Sequence, residues 1–421
     1  MHFFQYQGGE LFCEEVPISE IAEEVGTPFY LYSHRTLERH FRVFDEALTG
    51  LPHLVCYSAK ANGNLAVLRT FIRLGSGVDV VSGGEIYRAL RAGADPKRIV
   101  FSGVGKTEEE IRYGLREGIL LFNVESLGEL RTVERIAEEE GKRAPIALRV
   151  NPDIDPKTHP YVATGLKTSK FGIDVEEALE IYRQAKGSPH LEVRGISCHI
   201  GSQLTEVEPF VEALRKIKEL YLRLQDEYLD LQYIDLGGGL GITYKDELPP
   251  HPEEYAEAIK EEAKGLECRF IFEPGRVLVG NAGVLITRVL YLKRVGKKDF
   301  VVVDAGMNDL IRPALYGSYH EVLPVKEKGG KRMVADLVGP ICETGDFFAR
   351  EREMPEPSPG DLLAIMGAGA YGFSMSSNYN ARRRAAEVMV RGGEFFVIRE
   401  RESYEDLVRG ERVPPFLEDS R

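Results

Sequence analysis

Cysteine is scarce in this chain. Its 421 residues include five, Cys13, Cys56, Cys198, Cys268 and Cys342, odd in number, widely spaced and without a CxxC pair. That excludes a disulfide framework and a clustered zinc site, and it fits reduced thiols in cytosol. Long apolar runs are missing too, so no segment reads as a membrane span and no membrane partner is expected. The N-terminal MHFFQYQGGELFCEEV has no basic stretch ahead of an apolar core, so it does not read as a signal peptide. The expectation is a cytoplasmic protein. Positive charge is short: 54 Lys and Arg stand against 67 Asp and Glu, a net charge of −13. That argues against nucleic acid as a partner, because phosphate binding needs a basic surface. There is no internal repeat and no low-complexity segment. What remains, with 43% hydrophobic and 29% charged residues, is the composition of a soluble globular protein.

From about residue 53 to 276, short β-branched runs alternate with amphipathic stretches. The strand candidates are HLVCYS (53–58), GVDVVS (77–82), RIVFSG (98–103), ILLFNV (119–124), PIALRV (145–150), VRGISCHI (193–200), QYIDLGG (232–238) and RFIFEP (269–274). Helix-sized segments between apolar strands imply parallel pairing. Roughly eight such units in about 250 residues is the count of a TIM barrel, whereas a doubly wound open sheet usually has fewer strands. After Arg276 the runs become β-like, as in VLVGNAGVLITRVLYLKRV, DFVVVDAG and GEFFVIRE, and the first 30 residues are strand-like as well. The expected class is α/β. A TIM (β/α)8 barrel spans 31–276, and a second, mostly antiparallel β domain is assembled from 1–30 and 277–421.

In such a barrel the active site lies at the C-terminal ends of the strands. The first strand ends in YSAKAN, which puts Lys60 at the mouth. A buried lysine there has a lowered pKa and becomes an amine able to form a Schiff base; the alternative is a snorkelling surface lysine. The sixth strand ends in CHIGSQ, so His199 points into the same mouth, as a core histidine or as a flat ring stacked on an aromatic cofactor. A metal-ligand role lacks companion ligands nearby, and no metal site is expected. The seventh ends in LGGGLG (236–241), where glycines let backbone N–H groups approach an anion. No GK[ST] follows, so it is not a P-loop, but phosphate sites in these barrels favour the loops after strands 7 and 8. The eighth ends in EPGR, placing Glu273 to hold a proton on a pyridine nitrogen or to pair with Arg276. Gly275 and Arg276 either complete a phosphate cup or grip a substrate carboxylate. The β domain adds NDLIRPALYGSYH with Arg312 and Tyr316, GPICETGDFF with Cys342 and Glu343, and GAGAYGFSMSSNYN with Tyr371.

Taken in order and spacing, YSAKAN, CHIGSQ, IDLGGGLGI, EPGR and GPICETGD resemble the alanine-racemase-like barrel decarboxylases that use pyridoxal 5′-phosphate. The resemblance runs from roughly residue 10 to 405. It implies that Lys60 carries the cofactor and His199 stacks on its ring. Ser202, Gly238, Gly239 and the Glu273–Arg276 stretch, including Gly275, then hold the phosphate and the ring nitrogen. Arg276, Arg312 and Tyr316 bind the distal carboxylate of an amino-acid substrate, Glu343 its distal ammonium, and Tyr371 contacts cofactor and substrate. Cys342 of the partner subunit is the proton donor, so the implied assembly is a homodimer with shared sites. The implied reaction is decarboxylation of meso-2,6-diaminopimelate to L-lysine. Carboxynorspermidine, arginine or ornithine decarboxylation, a racemase on the same barrel and a non-catalytic cofactor-binding protein are the alternatives.

Overall fold

The computed structural model describes residues 2–154, 170–227 and 229–417. The chain divides into two compact units, one comprising 34–282 and 369–374 with His2, the other 3–33, 283–368 and 375–417.

The first unit is a closed parallel barrel. Its strands are β1 (His53–Ser58), β2 (Gly77–Val80), β3 (Ile99–Phe101), β4 (Leu121–Val124), β5 (Ala144–Arg149), β6 (Leu191–Ser197), β7 (Tyr233–Asp235) and β8 (Arg269–Phe272). Each pairs in parallel with its sequence neighbour, and β8 pairs with β1. Most of their residues are buried, as expected of parallel strands covered on both faces. Inside, Leu54, Cys56, Val100, Leu121, Ala147 and Ile271 form one apolar cluster. Side chains alternate along a strand. Two residues beyond five of these therefore come Ser58, Ser102, Asn123, Arg149 and Glu273, all buried and polar. The barrel turns from apolar to polar within one strand repeat, at its C-terminal end.

The helices are α1 (His34–Ala47), α2 (Leu65–Arg73), α3 (Gly83–Arg91), α4 (Glu108–Glu117), α5 (Leu127–Glu139), α6 (Val175–Lys186), α7 (Glu208–Asp226) and α8 (Pro252–Glu262). Asn64, Ser82, Thr107, Ser126 and Asp174 cap α2 to α6, each side chain accepting a backbone N–H of the first turn. Each such cap contributes about 1 kcal/mol. The helix α1, which precedes β1, packs against both α2 and α8 and closes the ring.

The second unit is built on a nine-stranded sheet. Its main path runs Phe347–Pro355, Arg332–Val338, Lys298–Val303, Gly283–Val295, Phe29–Ser33, Ala386–Arg391 and Glu394–Arg399. Pairing is antiparallel except for two parallel junctions, Lys298–Val303 with Arg332–Val338 and Phe29–Ser33 with Ala386–Arg391. One core joins both ends of the chain, with Phe4, Leu11, Ile21, Phe29 and Leu31 against Val284, Ile286, Ala364 and Val388. The limits differ from the sequence-based ones. Residues 31–33 complete a strand of this sheet, 277–282 stay with the barrel, and 369–374 return to it. Tyr371 therefore belongs with the barrel and not with the β domain.

No described helix is long and apolar enough to cross a membrane. Gly195 in β6 marks a tight strand contact in the closed barrel, since a Cβ there would lie 2.5 Å from the Tyr233 carbonyl oxygen. Gly195→Ala should cost about 1–3 kcal/mol of stability through overpacking. A lowered urea midpoint at unchanged slope is the expected result, and a wild-type midpoint would contradict it.

Candidate active site

Lys60 sits in the single 3-10 turn, Ala59–Ala61, that leaves β1. Its Nζ lies 2.8 Å from Asp79 Oδ2 on the neighbouring strand β2; the lysine side chain is 37% exposed and that of Asp79 wholly buried. Ser58 donates to the same carboxylate oxygen at 2.7 Å. The ammonium is thus reachable from the mouth while resting on a buried acid. Burial by itself would lower the Lys60 pKa, but the charges of Asp79 and Glu273, with Tyr371, outweigh it and raise the pKa above the ordinary lysine value. The expectation of a lowered pKa is therefore wrong for the protein without cofactor. It considered burial and not the acid on the next strand.

Two more carboxyls are buried in the same layer. Asp235, at the end of β7, accepts from Gly237 N–H (2.9 Å), Asn123 Nδ2 (2.6 Å) and Ser197 Oγ (3.3 Å). Burial still pushes it up to about 6. Glu273 follows β8 and receives Ser102 Oγ at 3.3 Å. Burial, then the neighbouring charges of Asp235 and Asp79, raise it well above the ordinary carboxyl value. Glu273 therefore holds a proton more readily than an ordinary carboxyl, beside Asp235. No ion pair joins it to Arg276, whose Nη1 donates to Tyr244 Oη at 2.8 Å and Nη2 to Ser202 Oγ at 3.2 Å.

The loops after β6 and β7 are zipped together by backbone bonds. Leu204 N–H donates to Gly239 O (3.0 Å) and Gly241 N–H to Leu204 O (2.9 Å). Glycine is required here by close approach: a Cβ on Gly238 would lie 2.2 Å from Glu273 O, and one on Gly239, at φ +132°, 2.7 Å from Gly201 O. Gly238 N–H donates to His199 Nδ1 at 3.2 Å, which assigns the ring proton to Nε2. Burial, then the charges of Arg149 and Lys60, push His199 well below its ordinary value. The ring is neutral and suited to lie against a flat aromatic group. Arg276 adds its guanidinium 4.9 Å from the centre of the Tyr371 ring. Tyr371 has a left-handed backbone (φ +56°), held by its N–H to Ala61 O at 2.8 Å in the Lys60 turn. Gly275 packs against Ala61 and Ser58, where a Cβ would lie 3.1 Å from each side chain.

This arrangement fits pyridoxal phosphate. It offers an amine, a neutral imidazole, a buried carboxyl of raised pKa and a glycine-lined cationic corner. In addition, buried Asp79 Oδ1 and Arg149 Nη2 have no hydrogen-bond partner among the described residues, as expected where a polar ligand completes a site. Among the described residues no group of His, Cys, Asp and Glu side chains is placed to hold a metal.

The structure brings Lys60, His199, Ser202, Gly238, Gly239, Glu273, Gly275, Arg276 and Tyr371 together in the barrel unit. Arg312, Tyr316, Cys342 and Glu343 lie in the β unit. Arg312 opens the short helix Arg312–Tyr316, is buried, and donates to Ser318 Oγ at 3.1 Å. Cys342 is the exposed one of the five cysteines. Its loop is pinned by the buried carboxylate of Asp346, which accepts from Ile341 N–H (2.6 Å) and Met307 N–H (2.7 Å). Asp79, Asp235, Asn123, Arg149 and Tyr244 were not among the residues expected from the sequence. The signal for the first four was a lone polar residue inside an apolar strand, as in GVDVV, YIDL, LFNV and IALRV.

Residues 34–280 match the family model described as pyridoxal-dependent decarboxylase, pyridoxal binding domain. The chain is 52% identical over 415 residues to the diaminopimelate decarboxylase of Pseudomonas aeruginosa, covering 99% of this chain and 100% of that one. It is 50% identical over 417 residues to that of Vibrio cholerae, with 99% and 100% covered. Among solved structures, diaminopimelate decarboxylase from Helicobacter pylori complexed with L-lysine is similar with a TM-score of 0.91 and 45% identity, over 93% of this chain and 98% of that one. The M. jannaschii enzyme in co-complex with L-lysine gives a TM-score of 0.94 and 41% identity over 98% of both chains.

Asp79→Asn removes the nearest charge that raises Lys60, so burial prevails and the neutral amine appears at lower pH. In cofactor-free protein, the pH midpoint for Lys60 carbamoylation by cyanate, followed by peptide mass mapping, should fall by roughly 1–3 pH units. An unchanged midpoint would contradict the electrostatic account.

Proposed function

The chain belongs to the pyridoxal-dependent decarboxylases, in the diaminopimelate decarboxylase family, and we propose from that premise how its residues divide the work. It is a pyridoxal-phosphate-dependent carboxy-lyase that converts meso-2,6-diaminopimelate to L-lysine and carbon dioxide, the last step of lysine synthesis. The observation that carries the reading of the site is the Lys60 ammonium, held 2.8 Å from Asp79 at a barrel mouth that also buries Asp235 and Glu273.

Lys60 would hold the cofactor covalently through its ε-amine. His199 would lie against the ring, Glu273 would share its proton with the ring nitrogen, and Ser202, Gly238, Gly239, Gly275 and Arg276 would hold the phosphate. When bound, pyridoxal phosphate supplies the sink for the electron pair left as carbon dioxide departs. Asp79 accepts the Lys60 ammonium when that amine is not otherwise engaged. Arg276, Arg312 and Tyr316 bind the distal carboxylate of the substrate, Glu343 binds its distal ammonium, and Tyr371 orients both cofactor and substrate. A distal carboxylate beside a distal ammonium suits paired Arg and Glu. A substrate with only a distal cation would leave buried Arg312 facing like charge. The thiol of the partner subunit's Cys342 gives a proton to the carbon that lost carbon dioxide. The functional unit in this reading is a cytoplasmic homodimer.

Carbon dioxide release should be rapid from meso-diaminopimelate and slow from ornithine and arginine. Lys60→Ala should abolish it, and Cys342→Ala should lower kcat by about 10²–10⁴-fold, the range for loss of a positioned proton donor. Faster release from ornithine than from meso-diaminopimelate would overturn the substrate assignment.

A further inference from the structure

Residues 377–384 form a turn of the β unit that the reading above leaves without a role. Asn380 (φ +56°) and Ala381 (φ +52°) stand consecutively in the left-handed region. Non-glycine residues hold that conformation only where the surroundings fix it, and such places cluster at functional sites. The turn is anchored from behind. Ser377 N–H donates to Asn308 O (2.9 Å), and Asn378 Nδ2 to Arg382 O (3.0 Å) and Glu402 Oε2 (2.6 Å). Arg384 N–H donates to Glu402 Oε2 (2.8 Å), and Arg382 Nη2 to Asp304 O (2.9 Å). Forward, it presents two adjacent side chains to two adjacent residues. Asn380 Oδ1 accepts the Cys342 N–H at 2.8 Å, and Tyr379 Oη donates to Glu343 Oε2 at 2.8 Å.

We propose that Asn380 and Tyr379 are positioning residues for this loop, Asn380 setting where the Cys342 thiol stands and Tyr379 setting the Glu343 carboxylate. The proposal rests on the roles given above to Cys342 and Glu343. Asp346 holds the loop on one side through Ile341 N–H, and Asn380 holds it on the other through Cys342 N–H. The backbone that carries the thiol is thereby fixed at both ends of one peptide step. Because the prongs are separate, their losses separate too. Releasing Cys342 moves the proton donor and acts on the chemical step. Releasing Glu343 loosens recognition of the distal ammonium and acts on binding.

The test uses the holoenzyme with meso-diaminopimelate. Asn380→Gly keeps the left-handed turn at no steric cost and removes the acceptor with the rest of the side chain. It should lower kcat by about tenfold or more, since misplacing a catalytic group by an ångström costs up to about 10²-fold. KM and Tm should stay near wild type. Asn380→Asp, which retains an acceptor oxygen and tolerates the same backbone, should recover most of kcat. Tyr379→Phe should raise KM by about 3–10-fold, the worth of one hydrogen bond, with kcat nearly unchanged. Wild-type kcat in Asn380→Gly overturns the proposal, as does parallel loss of kcat and Tm in both variants. Cys342→Ala separates the levels. Full activity there removes the proton-donor role itself, while an inactive Cys342→Ala beside a fully active Asn380→Gly removes only the positioning role.

Discussion

One ammonium faces three buried carboxyls, and the barrel mouth is organised around that imbalance. Lys60 pairs directly with Asp79. Asp235 is supplied with donors from Gly237, Asn123 and Ser197. Glu273, last in line, has its pKa raised by burial and by the charges of Asp235 and Asp79. Burying three acids beside one ammonium is costly unless each is paired, hydrogen-bonded or neutralised. The result is an acid of raised pKa, a neutral imidazole and an amine on one floor. That is the set a pyridine ring with an aldehyde and a phosphate requires.

The fold delivers this set through simple periodicities. Alternation along the strands carries Leu54, Cys56 and Ser58, or Ala147 and Arg149, from apolar interior to polar mouth. The helices α2 to α6 each start on a capping side chain, and the loops after β1 to β4 are short. The loops after β6 and β7 lie backbone to backbone because Gly239 and Gly241 have no side chains to separate them. Removing that closeness would part His199 from the loop that fixes its tautomer.

Much of this was legible beforehand, for physical reasons that can be named. The eight strands are β-branched runs separated by helical periods, and Lys60, His199, the glycine loop and Glu273 each follow a strand end. The Lys60 pKa was not legible, because Asp79 lies nineteen residues away and meets it only through the β1–β2 pairing. The place of Tyr371 was not legible either. A return of six residues to the barrel has no periodicity to announce it, and contacts such as the Tyr371 N–H to Ala61 O bond reveal it. The SSNYN run could be seen as a motif. Its contact with Cys342 and Glu343 depends on a turn whose left-handed residues are neither glycine nor aligned with any strand pattern.

The central claim is that Lys60, and no other amine, holds the cofactor. Borohydride reduction of the holoenzyme fixes the cofactor to its lysine, and proteolysis with mass mapping then locates it. The cofactor mass should appear on the peptide containing Lys60. Its appearance on a different lysine, such as the buried Lys106 that pairs with Glu129, or on none, would contradict the account.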